Sequence, residues 1–225
     1  MLKSLIWYSE VSSTSDLAKK LPEFTCVLAD SQSQGRGRQG RKWKTFKDSL
    51  MFSFKIPIQK AFPLGFLSII VGTTLHKAVL ENSKKKFFLK WPNDIHDEKG
   101  KKVAGILIET AGGFCIVGIG LNCGAVQSDD FAFLESQTDR LWILKRFFLL
   151  LNQELQKLQK DVLDYWYQHS FYVPGREIEI IQENSPSEKG KIKELALDGS
   201  LIVLNNEKKE IKITSADAIV LKVAY

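Results

Sequence analysis

Residues 35–43, GRGRQGRKW, constrain this chain more than any other segment. Glycine and arginine at this density form neither a good helix interior nor a buried strand. The glycines raise the backbone entropy lost on ordering, and the arginines have no acid nearby to pair with. From Ser31 to Lys47 there are six basic residues and no acidic one. The segment therefore reads as a loop held out by apolar elements on either side. Gly35, Gly37 and Gly40 satisfy the G-x-G-x-x-G expression, but a dinucleotide site is rejected. The residues that follow are Arg, Lys and Trp rather than the apolar face of a helix, and no acid lies about 20 residues on to hold a ribose. What fits is an anion site: glycines let the backbone come close to a ligand, and Arg36, Arg38 and Arg41 supply planar forks for phosphate or carboxylate. Trp43 offers a face for a flat ring. The alternative is a solvated, flexible basic loop.

The rest of the chain is ordinary enough to carry such a loop. Of 225 residues, 44% are hydrophobic and 26% charged, which suits one globular domain with a small appendage burying ~70–75% of the unfolded surface. Net charge is +6, unevenly spread. Residues 173–225 hold 8 basic and 9 acidic groups, leaving 24 against 17 on residues 1–172. Confinement of the excess favours a local anion site over a polyanion-binding surface. The longest apolar stretch, Phe62–Leu75, is broken by Gly65, Gly72 and two threonines, so no membrane span is expected. No signal peptide opens the sequence, and Cys26, Cys115 and Cys123 form no CxxC pair; free thiols in a cytoplasmic protein are expected.

Leu5–Tyr8 is a short apolar run. Hydroxyl residues 12–15 then cap a short helix that stops at Pro22. Thr25–Ala29 reads as a strand, and Ser49–Ile56 as a strand with one buried face carrying Leu50, Phe52, Phe54 and Ile56. A helix is expected from Pro63 to about Glu81. A strand over Phe87–Trp91 is expected to end in a Pro92-Asn93-Asp94 turn, and Val103–Glu109 and Phe114–Leu121 read as a hairpin. Arg140–His169 is helical with one interruption. Five short strands after Pro174-Gly175 suggest a small barrel, with a domain boundary near Val173.

Asp94, at the end of a buried strand, suits either a divalent cation beside phosphates or the orientation of an incoming amine; the plain reading is a turn. Lys102 at a strand start reaches a bound carboxylate or is simply solvated. Gly118 and Gly120 at strand positions mark close approach by a ligand or another backbone. His76, His96 and His169 lack metal-ligand spacing and read as structural or surface residues. Neither G-x-S-x-G nor a P-loop is found.

Taken in order, Ser13-Thr14-Ser15, Gln32 with GRGRQGRKW, KWPND (90–94), KVAGILIE (102–109) and GIGLN (118–122) resemble biotin–protein ligases over nearly the whole chain. The resemblance implies an α+β fold of class II synthetase type, a mixed sheet with helices on one side, followed by a small SH3-like β-barrel: a catalytic domain over 1–172 and a barrel over 173–225. It implies that biotin is activated with ATP and Mg²⁺ as biotinyl-5′-adenylate and passed to one lysine of a biotin carboxyl carrier domain. Ser13, Thr14, Ser15, Gln32, Gly35, Arg36 and Gly37 match the biotin ring site. Gly105, Gly118 and Gly120 match the pocket floor, and Lys102 the lysine at the biotin carboxylate. Arg38, Arg41, Trp43, Asn93 and Asn122 match positions that handle ATP and the adenylate, with Asp94 at the magnesium or the acceptor amine. The resemblance implies that Lys102, Arg38 and Asp94 carry the chemistry. Ser15 stands where Asn is common in the family, and Gln39 where Arg is frequent. Nothing before Leu5 resembles a DNA-binding helix-turn-helix, so no DNA binding is expected; a homodimer is left open. The rival readings are a lipoate–protein ligase-like enzyme and a non-enzymatic nucleic-acid binder, the latter disfavoured by the confined charge and by the absence of alternating aromatics in the basic loop.

Overall fold

The structure is a computed structural model that describes residues 2–58, 62–124, 128–135, 138–181, 188–214 and 217–220. Its first 121 residues build a seven-stranded mixed sheet in the order β1-β2-β3-β7-β6-β5-β4. The strands are β1 (Ser4–Val11), β2 (Thr25–Gln32), β3 (Leu50–Pro57), β4 (Phe87–Lys90), β5 (Asp94–Asp97), β6 (Lys102–Ala111) and β7 (Phe114–Leu121). Only β1 and β2 are parallel, joined by helix α1 (Thr14–Lys20); the other pairs are antiparallel. The β6–β7 hairpin forms as expected, in continuous register from Ala104↔Leu121 to Ala111↔Phe114.

Alternation along the strands sorts side chains into two faces. One face carries Cys26, Leu28, Phe52, Phe54, Ile106, Val117 and Ile119, packed under helices α2 (Leu64–Leu80) and α3 (Arg140–Glu154). Phe52 and Phe54 meet Phe147 and Phe148 of α3 with ring centroids 5.0–6.0 Å apart, mostly edge to face. The opposite face carries Val27 and Ile116, which pack with Ala18 of α1. Helices therefore lie on both faces, not on one, because α1 must bury Ala18 and Leu17 and the parallel crossover sets it there. For the same reason β3 is buried on both faces, Ser53 included.

KWPND departs furthest from expectation. After a cis Trp91–Pro92 peptide the chain turns back at once as β5, pairing with β4 on one side and β6 on the other. Asp94 is thus a strand residue opposite Gly105, not part of an open turn.

The interruption expected within 140–169 separates α3 from α4 (Gln159–Gln168). Asp139 caps α3 by accepting from the Leu141 and Trp142 amides. Ser13 stands at the N-cap of α1 but makes no side-chain cap bond there. The Thr14 amide is instead satisfied by Gln32 Oε1 at 2.8 Å.

Beyond Pro174 lies a second, antiparallel sheet, β11-β10-β9-β8-β12. Its strands are β8 (Glu177–Ile181), β9 (Glu188–Leu195), β10 (Leu201–Asn205), β11 (Glu210–Ile213) and β12 (Asp217–Val220). Among the described residues β11 and β12 do not pair, so the expected barrel is an open five-stranded sheet; residues 221 and 222 of the last expected strand lie outside the described residues.

The two sheets are joined at a point of backbone contact. Trp91 Nε1 donates to Gly199 O at 2.9 Å, and Gly199 sits at φ +83°. A Cβ at 199 would lie 2.2 Å from the Gly65 carbonyl carbon, and one at 65 would lie 2.4 Å from Asp198 O. Gly199→Ala adds left-handed strain to a clash that only backbone can relieve. It is expected to lower unfolding free energy by about 2–4 kcal/mol in urea titration. An unchanged midpoint would show that the turn does not bear on α2.

Candidate active site

On the α1 side of the sheet the strands leave a cavity of about 550 Å³. Its floor is a row of small residues brought into register across four strands. Ser53 pairs with Gly118, Gly118 with Leu107, Met51 with Gly120, Gly120 with Gly105, and Gly105 with Asp94. These glycines are required by what lies on them. A Cβ on Gly120 would stand 2.2 Å from Trp43 Cζ2, one on Gly105 2.8 Å from Lys102 Nζ, and one on Gly118 2.8 Å from Ser15 Oγ.

Every residue that the resemblance matched to the site lines this cavity except Gly35. Gly35 lies beneath the loop, its carbonyl accepting from the Trp43 amide at 2.9 Å, and its Cα faces Gln32 and the Trp43 Cβ. The basic segment is more ordered than an open loop. Arg36 pairs with Lys42 across a narrow ribbon, and a single turn at Arg38–Gly40 closes it. Gln39 at φ 54° and Gly40 at φ 72° form the tip.

At one end of the cavity lie hydroxyls and an amide. Thr14 Oγ1 donates to Gln32 Oε1 at 3.1 Å and lies 2.7 Å from Ser53 Oγ, which is 3.0 Å from Ser15 Oγ. Arg36, matched to the ring site, turns its guanidinium outward. It makes two bonds to Asp16 on α1, at 2.6 and 2.8 Å, with Glu109 at 4.0 Å. The Arg36 bonds, against a smaller opposing effect of burial, hold the Asp16 carboxyl down at about 2. Because the folded value is depressed, this latch is intact above the ordinary carboxylate range and is lost as pH falls from about 4 through about 2. Asp16→Asn removes the latch at neutral pH. Trypsin is expected to cleave within residues 36–44 several-fold faster in that variant; equal rates would show that the latch does not hold the ribbon.

The other end is charged. Lys102 Nζ lies 2.7 Å from Asp94 Oδ1, and His96 Nε2 3.8 Å from Asp94 Oδ2. Burial alone would raise the Asp94 carboxyl, but the His96 imidazole and the Lys102 ammonium outweigh it and hold it below its ordinary value. Lys102 also stands 5.6 Å from the Trp43 ring centroid. Arg38 donates to Asn93 Oδ1 at 3.3 Å, while Asn93 Nδ2 donates to Ile106 O at 2.6 Å, pinning the start of β5 to β6. Arg41 donates to Gln39 at the ribbon's tip. Asn122 is buried, its amide donating to Lys102 O and Ala132 O. Asn93 and Asn122 thus spend donors on framework, leaving Asn122 Oδ1 without a partner among the described residues.

Ser53, His96 and Phe131 are among the residues here that were not singled out. Ser53 is hidden in the polar half of an alternating strand. His96 was set aside for lack of metal-ligand spacing, although it backs Asp94 and donates through Nδ1 to Gly100 O at 2.7 Å. Phe131 lines the cavity beyond Lys102 and packs edge-on against Phe46, centroids 5.3 Å apart. Of the other histidines, His76 is a buried structural residue held by Tyr165 and Phe87 O. All three cysteines are free and buried.

A family model described as the biotin/lipoate A/B protein ligase family matches residues 7–125. The bifunctional ligase/repressor BirA of Bacillus spizizenii is 36% identical over 146 residues, 58% of this chain and 43% of that protein. The biotin–[acetyl-CoA-carboxylase] ligase of Mycobacterium tuberculosis is 35% identical over 105 residues, 43% of this chain and 38% of that one. The chain thus matches less than half the length of these curated relatives. Among solved structures, the biotin protein ligase from Aquifex aeolicus in complex with biotin and ATP is followed along nearly its whole length. It gives a TM-score of 0.81 at 31% identity, over 97% of this chain and 98% of that one.

Proposed function

The chain belongs to the biotin/lipoate A/B protein ligase family, and from that premise we propose that it is a biotin–protein ligase. It activates the biotin carboxylate with ATP and passes the biotinyl group to one lysine of a biotin carboxyl carrier domain. The observation that carries this reading is the single cavity that joins a hydroxyl- and amide-lined end, suited to a small polar ring, to Lys102 and the arginine ribbon, suited to a carboxylate and phosphates.

In the first step a carboxylate oxygen attacks the α-phosphorus, the bond to the β-phosphate oxygen breaks, and pyrophosphate leaves. Two anions must touch, so the site has to offset their repulsion. Lys102 is placed at the carboxylate, with Arg38 and Arg41 around the phosphates and Asn93 and Asn122 at the nucleotide. Asp94 orients Lys102 and lies where the acceptor amine enters. That amine then attacks the mixed-anhydride carbonyl and AMP leaves. Ser13, Thr14, Ser15, Gln32, Arg36 and Gly37 surround the ring end; Gly35 supports the ribbon from below.

Mg²⁺ fits as a companion of ATP rather than as a resident ion. Among the described residues no three His, Cys, Asp or Glu side chains converge, and Asp94 is the only carboxylate lining the cavity. With phosphates present, Asp94 Oδ2 is available as a protein ligand, and the ion supplies charge neutralisation at the phosphates.

The ribbon excludes water from the anhydride when it closes. Biotin with ATP is therefore expected to slow tryptic cleavage within residues 36–44; equal rates with and without ligands would contradict this. We also place the domain boundary near Val173, residues 1–172 carrying catalysis. Ile181 of the second sheet lines the cavity, which supports a part for that sheet at the nucleotide end. Free, buried cysteines support a cytoplasmic location. Neither DNA nor a second subunit enters this proposal.

Transfer is tested by mass spectrometry of an apo carrier domain incubated with the protein, biotin, ATP and Mg²⁺. One biotinyl group on one lysine is expected; an unmodified carrier would exclude the transfer half of the reading.

A further inference from the structure

Ser53 lies at the centre of a hydroxyl chain under the ring end of the cavity, and no step described above uses it. It is fully buried on β3 and lines the cavity floor with Ser15. The direction of each hydrogen bond in the chain follows from its partners. The Thr14 amide only donates, so the Gln32 atom that it meets at 2.8 Å is the carbonyl oxygen, which only accepts. Thr14 Oγ1, 3.1 Å from that same oxygen, must then give its proton to Gln32. The 2.7 Å contact between Thr14 and Ser53 needs a proton from Ser53, and the 3.0 Å contact between Ser53 and Ser15 needs one from Ser15. All three contacts are hydrogen bonds at once only with this polarity.

Ser15 consequently has no proton left for a ligand and offers lone pairs alone. Gly118 leaves its oxygen open, since a Cβ there would stand 2.8 Å from Ser15 Oγ and 3.3 Å from Ser53 Oγ. We propose that Ser53 is a positioning residue that fixes Ser15 as an acceptor toward the cavity, so that the site selects an acid whose ring presents an N–H there. A cyclic urea meets that demand. A dithiolane has no such donor, and a ring with an oxygen in place of that N–H would face lone pair against lone pair. The inference rests on the reading of this protein as a biotin ligase, and it gives a physical reason for biotin over lipoate.

The test compares biotin with its two isosteric cyclic carbamates, each carrying oxygen in place of one ureido N–H, in ATP–pyrophosphate exchange by the full chain. The unmodified protein is expected to reject one carbamate by about 100-fold or more in kcat/KM, because a polar site left unpaired discriminates strongly. Ser53→Ala frees the Ser15 hydroxyl to rotate and donate. It should raise KM for biotin about tenfold with kcat within about twofold, and shrink the preference over that carbamate by a similar factor. Ser15→Ala should lose the same preference with Ser53 intact, and the double variant should lose no more than Ser15→Ala alone. An unchanged KM and preference in Ser53→Ala, or a preference that survives Ser15→Ala, would overturn the inference while leaving the ligase reading in place. Absence of biotin-dependent exchange in the unmodified protein would overturn both.

Discussion

Lys102→Ala is expected to lower biotin-dependent ATP–pyrophosphate exchange by about two to three orders of magnitude, with the fold retained. The magnitude follows from where the ammonium sits. Its Nζ is 2.7 Å from Asp94 Oδ1, and the glycine at 105 leaves it room over the cavity floor. In the proposed reaction it is therefore preorganised at the point where a carboxylate and an α-phosphate must meet. Loss of a preorganised charge of this kind removes about 3–4 kcal/mol of transition-state stabilisation. Lys102→Arg is not expected to rescue, because the longer planar fork must fit beside the Trp43 ring, already 5.6 Å from Nζ. The variant also removes the ammonium that pairs with the buried Asp94, so a modest fall in Tm is expected as well. Activity within tenfold of the unmodified protein would remove Lys102 from the reaction.

Gly120→Ala is expected to cost about 100-fold in kcat/KM, through a different route. The new methyl would stand 2.2, 2.4 and 2.8 Å from three atoms of the Trp43 indole, so the ring has to leave the floor. Trp43 is the last residue of the ribbon and is bonded through its amide to Gly35, so its departure displaces Arg36–Arg41 with it. Tryptophan emission should shift to the red as the indole becomes exposed. Trp43→Ala in the same chain relieves the clash, so the double variant should be no worse than Trp43→Ala alone. Normal activity and emission in Gly120→Ala would mean that the ring does not rest on that glycine in the working enzyme.

The ribbon, the glycine floor and Lys102 were legible in the sequence because each breaks a local rule. Glycine in a strand, arginines without acids and a lysine at a strand start all lack a purely local reason. The β6–β7 hairpin was equally plain, with Gly112 and Gly113 at positive φ between two apolar runs. What escaped is tertiary. Pro92-Asn93-Asp94 has the composition of a turn, and only pairing of Asp94 with Gly105 makes it a strand. Ser53 sits among Phe52 and Phe54, whose face dominates the pattern; that its own face is covered depends on α1, whose Thr14 lies 39 residues earlier in the chain. His96 carries no spacing signal and gains its place by backing Asp94 from the same strand. Arg36 shows the converse: it lines the cavity as its motif position suggested, but its guanidinium is committed to Asp16, a partner that spacing does not reveal.

The central claim is that this cavity joins an acid to adenylate, and isotope exchange between pyrophosphate and ATP tests it most directly. With Mg²⁺ present, exchange is expected with biotin, and neither with lipoate nor without an acid. Lipoate-dependent exchange would move the ring end to a different substrate, and no exchange with either acid would contradict the account.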